Sequence, residues 1–217
     1  EAACSGFIYA LEVGRAFISS GVYQNVLIIG AEKLSSIIDW EDRNTCVLFG
    51  DGAGAAVLQR RDGVRGVLAT RLGSDGNKAE ILAMPGGGCR QPATVDSVNE
   101  RIHFLKMEGK EVYKNAVTAM TAAAKDVMER SNLNIEDIKC IIPHQANQRI
   151  ISAIGERLGA REDQVFVNLQ KYGNTSAASV AVALDEALQS GKIDRGDRIL
   201  IIAFGAGLTW GATILEW

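Results

Sequence analysis

The chain repeats itself in outline, and this restricts the folds open to it. From Ala3 it reads A-C-S-G-F-I-Y-A-L-E-V-G-R-A-F-I-S-S-G, and from Gly173 it reads G-N-T-S-A-A-S-V-A-V-A-L-D-E-A-L-Q-S-G. Each stretch is helix-long, with Gly21 and Gly191 at matching ends. Each is followed by an apolar run (VLIIG; ILIIAFG), a Gly-rich turn and a second apolar run (GAGAAVL; GLTWGATIL). Small-residue helices resemble one another by chance, yet the agreement over three successive pieces favours duplication over coincidence. In this register Cys4 falls opposite Asn174, each just ahead of its helix.

The rest of the chain alternates in the same way. Apolar positions Phe7, Ile8, Leu11, Val13, Ala16, Phe17 and Ile18 predict a mostly buried helix over residues 5–20. Asn25–Gly30 is a short continuous apolar run, the pattern of a strand buried on both faces. Further strands are predicted at 55–59, 138–143, 164–168, 198–203 and 212–216, and helices at 108–130, 148–158 and 176–189. Residues 63–105 read as strands and loops, broken at Pro85–Gly88. Strands alternating with helices make the chain α/β. The expected halves are residues 1–65 and 66–217.

Composition excludes several roles. A net charge of −3 argues against general nucleic-acid binding. No apolar run is long enough to span a bilayer, and no basic stretch precedes an apolar segment as in a signal peptide. The first residue is not Met. Cys4, Cys46, Cys89 and Cys140 are widely spaced, with only His103 and His144 to join them, so no metal site is expected. So apolar a chain does not need a disulfide framework, which points to a reducing, cytoplasmic compartment.

Three residues stand at places where chemistry is done, and each has a plainer reading. Cys4 precedes a helix, whose dipole and free N–H groups favour a thiolate and so a nucleophile. A lone cysteine is otherwise an inert buried thiol. His144, in I-I-P-H-Q-A-N, follows a buried strand, where α/β proteins place site residues; it also suits a capping role. Asn174, in K-Y-G-N-T-S-A-A-S, offers two amide donors that do not titrate, or an N-cap for the 176–189 helix.

Taken together these segments carry more. A-C-S-G-F, P-H-Q-A-N, G-N-T-S-A-A-S and F-G-A-G-L-T-W-G-A, in this order, resemble β-ketoacyl-acyl carrier protein synthase III. So do G-D-G-A-G-A-A-V-L at 50–58 and M-E-G-K-E-V-Y at 107–113. The resemblance covers essentially the whole chain. It implies a thiolase-like fold of two duplicated βαβαβ-type halves in an α/β/α/β/α layering. In that family the nucleophilic cysteine lies well inside the chain, so this sequence is expected to be the C-terminal portion of a longer enzyme, its first half truncated.

The resemblance also implies the chemistry. Cys4 would take an acyl group from acyl-CoA, acetyl-CoA by default. His144 and Asn174 would assist decarboxylation of malonyl-acyl carrier protein, and the product would be 3-oxoacyl-acyl carrier protein. Backbone N–H groups of Cys4 and Ala206 would form an oxyanion hole; many relatives have Gly at the latter position. Gln145, Ala146, Asn147, Gln148 and Arg149 match the family's carrier-protein contact segment, with Lys114 on the same basic rim and Lys110 read as solvated surface. Arg43 and Asn147 match CoA-contacting positions. A homodimer without cofactor or metal is implied. Elongating ketosynthases place a second His, and thiolases a second Cys, where Asn174 stands. Chalcone synthase-like and hydroxymethylglutaryl-CoA synthase-like enzymes share Cys-His-Asn and remain alternatives, as does a non-catalytic thiolase-fold partner. His103 is read as structural, and Cys46, Cys89 and Cys140 as core or loop thiols.

Overall fold

The computed structural model describes residues 2–63 and 66–217. A 3-10 turn at Ala3–Ser5 leads into α1 (Gly6–Ser19), β1 (Asn25–Lys33) and β2 (Asp51–Gln59). β3 (Gly66–Ser74) and β4 (Leu82–Ala83) follow, then α2 (Val95–Asn99), β5 (Lys106–Met107) and the long α3 (Gly109–Arg130). The remainder is β6 (Cys140–Pro143), α4 (Gln148–Leu158), α5 (Leu169–Tyr172), α6 (Ala178–Gln189), β7 (Arg198–Gly205) and β8 (Thr209–Glu216).

Among the described residues β1 and β2 pair only with each other, antiparallel. A four-stranded mixed sheet has the order β3-β8-β7-β6, with β6 parallel to β7 and the other pairs antiparallel. Helices α1 and α6 lie between the two sheets, and α3 and α4 cover the far face of the larger one. Of the five expected layers, four are therefore present among the described residues. The expected boundary after residue 65 falls at residues 64–65, which lie outside the described residues.

β7 shows why this stacking holds. Ile199, Ile201 and Ala203 enter the core around α1 and α6, while Leu200, Ile202 and Phe204 enter the core around α3 and α4. Side chains of a strand alternate between faces, so an unbroken apolar run serves two cores at once. β6 is likewise buried throughout. β1 is not: Ile28 is buried, but Leu27 and Ile29 face outward, each 59% exposed. The expectation of a strand buried on both faces is thus corrected for residues 25–30, because no layer covers the outer face here.

The two helix–hairpin units end alike. Gly21 and Gly191 both turn left-handed, at φ 77° and 69°. The amides of Val22 and Lys192 then reach back to the carbonyls of Phe17 and Ala187, the Schellman closure that a glycine permits. Two other expectations change. Residues 164–168 form no strand: a 3-10 turn at Glu162–Gln164 runs into a single parallel bridge between Ile141 and Val165. Residues 63–105 also hold the short helix α2, closed by a Thr94–Ser97 capping box. Among the described residues no helix is long and apolar enough to cross a membrane.

Candidate active site

Cys4 sits in the 3-10 turn where the chain enters α1, and it is 8% exposed. The β7–β8 hairpin holds this turn. Thr209 Oγ1 donates to the Ala2 carbonyl at 2.8 Å, and Ser5 Oγ donates to the Thr209 carbonyl at 3.2 Å. Gly205 lies against the same backbone: a Cβ there would stand 2.7 Å from the Cys4 nitrogen. Ala206 follows directly, which brings the turn at the end of β7 beside the Cys4 amide. Burial pushes the Cys4 thiol up to about 11, with Glu32 adding to the rise and a hydrogen bond from Ser176 opposing it. Burial thus works against the thiolate expected from the helix dipole.

His144 follows the last residue of β6, and its amide donates to the Ile202 carbonyl at 2.7 Å. The side chain is 2% exposed, and burial pushes it down to about 4. It is a neutral imidazole at physiological pH. Its Nδ1 lies 2.6 Å from Ser179 Oγ on α6.

Asn174 is also buried. Its backbone is clamped to the 48–50 segment, donating to the Leu48 carbonyl at 2.8 Å and accepting from the Gly50 amide at 2.9 Å. Its Oδ1 accepts from the Ser176 amide at 2.9 Å. The side chain closes an Asx turn rather than capping α6, whose N-cap is Ala177. The amide Nδ2, the donor end, is left over.

One cavity of about 640 Å³ receives all three. Buried Cys4, His144 and Asn174 share its lining with the buried apolar side chains of Phe204, Leu82, Val112, Ala116, Met120 and Ile150. Leu48, Phe49, Met107, Lys110, Tyr113, Asn147 and Arg149 also line it and are half-buried or exposed. A largely apolar channel leading to a few neutral polar groups suits a thioester on a long flexible arm. Among the described residues, no three His, Cys, Asp or Glu side chains gather as a metal site.

The other expected residues divide. Ala146, Asn147 and Arg149 line the cavity. Asn147 caps α4, its Oδ1 accepting from the Arg149 amide at 2.8 Å. Gln145 is a correction. It is 1% exposed, donates to the carbonyls of Pro143 and Phe166, and accepts from the amides of Asn168 and Leu169. With both ends of its amide used inside the protein, it braces the end of β6 and has nothing to offer a docked protein. Gln148, Lys114 and Arg43 are exposed and lie off the cavity lining. On α3 Lys110 lines the cavity and Lys114 does not. His103 bonds Ser97 Oγ at 2.8 Å, away from the cavity.

Some of the frame had no sequence signal. Asp39, 4% exposed, accepts from Arg101 and pairs with Lys106 Nζ at 3.6 Å. Arg101 holds this carboxyl down to about 2. The Leu105 amide donates to the Ile37 carbonyl alongside. These bonds staple the loop leading to Leu48 and Phe49 onto the segment carrying Met107, so two separate stretches form one cavity wall.

Comparison with known proteins identifies relatives along the whole chain. The family described as 3-oxoacyl-[acyl-carrier-protein (ACP)] synthase III matches residues 1–76, and its C-terminal counterpart matches residues 128–217. A beta-ketoacyl-[acyl-carrier-protein] synthase III of Caldanaerobacter subterraneus is 56% identical over 99% of this chain and 65% of its own length. One of Natranaerobius thermophilus is 48% identical over all of this chain and 67% of its own. The crystal structure of 3-oxoacyl-[acyl-carrier-protein] synthase III from Aquifex aeolicus superposes with a TM-score of 0.90 at 49% identity, covering 100% of this chain and 65% of that one. The chain thus spans about two thirds of the length of these relatives.

Proposed function

The chain belongs to the 3-oxoacyl-[acyl-carrier-protein] synthase III family, and we propose that it supplies the catalytic residues of an acyltransferase that condenses acyl-CoA with malonyl-acyl carrier protein. The observation that carries this reading is the convergence of Cys4, His144 and Asn174 on one apolar-walled cavity.

The first half-reaction transfers the acyl group to sulfur. Cys4 Sγ attacks the thioester carbonyl, the bond to the CoA sulfur breaks, and the proton of the resting thiol ends on CoA. The tetrahedral oxyanion is held by the backbone N–H groups of Cys4 and Ala206; the close approach of Gly205 to the Cys4 nitrogen supports this pairing. In the second half-reaction malonyl-acyl carrier protein loses CO₂, and the electrons of the broken C–C bond pass into an enolate. His144 and Asn174 donate hydrogen bonds to its oxygen; both are neutral, so neither protonates it outright. The enolate carbon attacks acyl-Cys4. Collapse of that adduct releases 3-oxoacyl-acyl carrier protein and a cysteine thiolate that regains its proton from water.

Arg149 and Lys110 at the mouth offer charge to an acidic carrier protein, and Asn147 offers its free amide to the pantetheine arm. The same reading makes the enzyme a cytoplasmic homodimer with no cofactor beyond its CoA thioester substrate, and its four unpaired cysteines fit a reducing compartment.

The test is the intact mass of the full-length enzyme after incubation with acetyl-CoA and a panel of longer and branched acyl-CoAs. An acyl adduct absent from Cys4→Ala is expected. A folded protein that takes no acyl group from any of them would instead indicate a non-catalytic partner.

A further inference from the structure

We propose that Ser179 is a positioning residue that sets the tautomer of His144, placing the ring proton on Nε2, where it faces the substrate. The proposal rests on the reading of His144 as an oxyanion donor. Ser179 belongs to the first turn of α6, and its hydroxyl lies 2.6 Å from His144 Nδ1 and 3.3 Å from the Gln145 amide nitrogen. The three residues are 1–2% exposed, so water has little access to their polar atoms.

The direction of the short bond follows from counting protons. The Gln145 amide can only donate, so Ser179 Oγ is its acceptor. The hydroxyl hydrogen must then point elsewhere, and among the described residues Nδ1 is the one acceptor it reaches. If Nδ1 carried the ring proton, Oγ would receive two hydrogens while its own had no partner, and a buried donor without a partner is costly. The incoming Gln145 bond also polarises the hydroxyl toward donation. Gln145 is itself held at both ends by Pro143, Phe166, Asn168 and Leu169, so the relay Gln145 N–H to Ser179 O–H to His144 Nδ1 starts from a fixed point. Nε2 has no protein partner among the described residues, and His144 lines the cavity. A neutral ring with its proton on Nε2 donates to an enolate oxygen. It cannot use that nitrogen to accept the proton of Cys4. Ser179 thereby assigns His144 to the decarboxylation half-reaction rather than to activation of the thiol.

The experiment combines ¹⁵N NMR of the histidine ring with two separate rates on the full-length enzyme. The His144 signals are identified by their loss in His144→Gln. The wild type is expected to carry the proton on Nε2; a proton on Nδ1 overturns the proposal, whatever the variants do. In Ser179→Ala the Nδ1–H form is expected to appear. CO₂ release from malonyl-acyl carrier protein should fall about tenfold more than acyl loading of Cys4, the effect of one neutral hydrogen bond. Equal loss of both rates, or an unchanged tautomer in a folded variant, would also overturn it. Should Ser179→Ala not fold, the wild-type spectrum decides. Failure of the wild type to load any acyl-CoA would count against the functional reading instead and leaves the tautomer measurement standing.

Discussion

The two helix–hairpin units are alike in order and in their helix C-caps, yet they live in different surroundings. β7 is sandwiched between two helix layers and gives alternate side chains to two cores, whereas β1 is covered on one face only. Their apolar runs are nearly interchangeable as sequence. Local patterning therefore sets where a strand forms, and the layers on either side set how much each side chain contributes. The helix starts differ in a parallel way. Ahead of α1 stands a thiol that the protein buries in its protonated form; ahead of α6 stands an amide whose oxygen is tied and whose nitrogen is free. The two units thus bring a buried thiol from one and a free amide nitrogen from the other to a single cavity.

The widest gap between the units should appear in catalysis. Cys4→Ala is expected to abolish acyl loading by intact mass. Asn174→Ala is expected to lower CO₂ release from malonyl-acyl carrier protein by about 10²–10³-fold, with a far smaller loss of loading. Comparable losses of both steps in Asn174→Ala would dissolve the division of labour. Stability comes next. Ile201→Ala, in β7, is expected to cost about 2–5 kcal/mol in urea unfolding, and Ile29→Ala, on the open face of β1, less than about 0.5 kcal/mol. A large cost at Ile29 would mean that another surface covers that face in the folded protein.

Two of the buried titratable groups, His144 and Cys4, should bend the pH–stability curve at opposite ends. His144 is held neutral down to about 4 from an ordinary 6.5, so the unfolded chain binds the extra proton between these values. Stability is then lost as pH falls from about 6.5 toward 4, by up to about 3 kcal/mol. Cys4 is raised from 9.0 to about 11, so its contribution is complete below pH 9 and lost as pH rises toward 11. Urea titrations across pH should show His144→Gln flattening the acid limb and Cys4→Ala reducing the alkaline one, part of which persists because burial also raises the Cys140 thiol to about 11. The smallest effect concerns the rim. Arg149→Glu and Lys110→Glu should slow use of malonyl-acyl carrier protein in a salt-dependent way, more than Lys114→Glu does, while acyl loading is largely kept. Equal effects at Lys110 and Lys114 would show that the rim extends beyond the cavity mouth.

Much of this was legible beforehand. The helix at 148–158 and the strand runs at 138–143 and 198–203 follow from periodicity, because each presents an apolar pattern that no other local structure would bury. The motifs around Cys4, His144 and Asn174 named the residues that meet. Other features were not legible, for identifiable reasons. Gln145 lies in the same motif as His144 but turns inward, a matter of which backbone groups surround it. Lys110 and Lys114 are one helical turn apart on α3, and only the packing of that helix selects the one at the cavity. The staple from Asp39 to Arg101 and Lys106 joins segments about sixty residues apart with no periodic signal between them. Residues 164–168 look like a strand in composition and make a single bridge.

The sequence by itself determined the α/β alternation, the paired helix–hairpin units and the choice of Cys4, His144 and Asn174 as the candidate site, because these depend on local periodicity and on residue chemistry. The tertiary structure decided which apolar run is buried twice, that burial raises the Cys4 thiol and lowers the His144 ring, and which ring nitrogen of His144 meets Ser179. Those properties depend on desolvation and on hydrogen-bond partners that come from distant parts of the chain, and they exist only once the layers have closed around them.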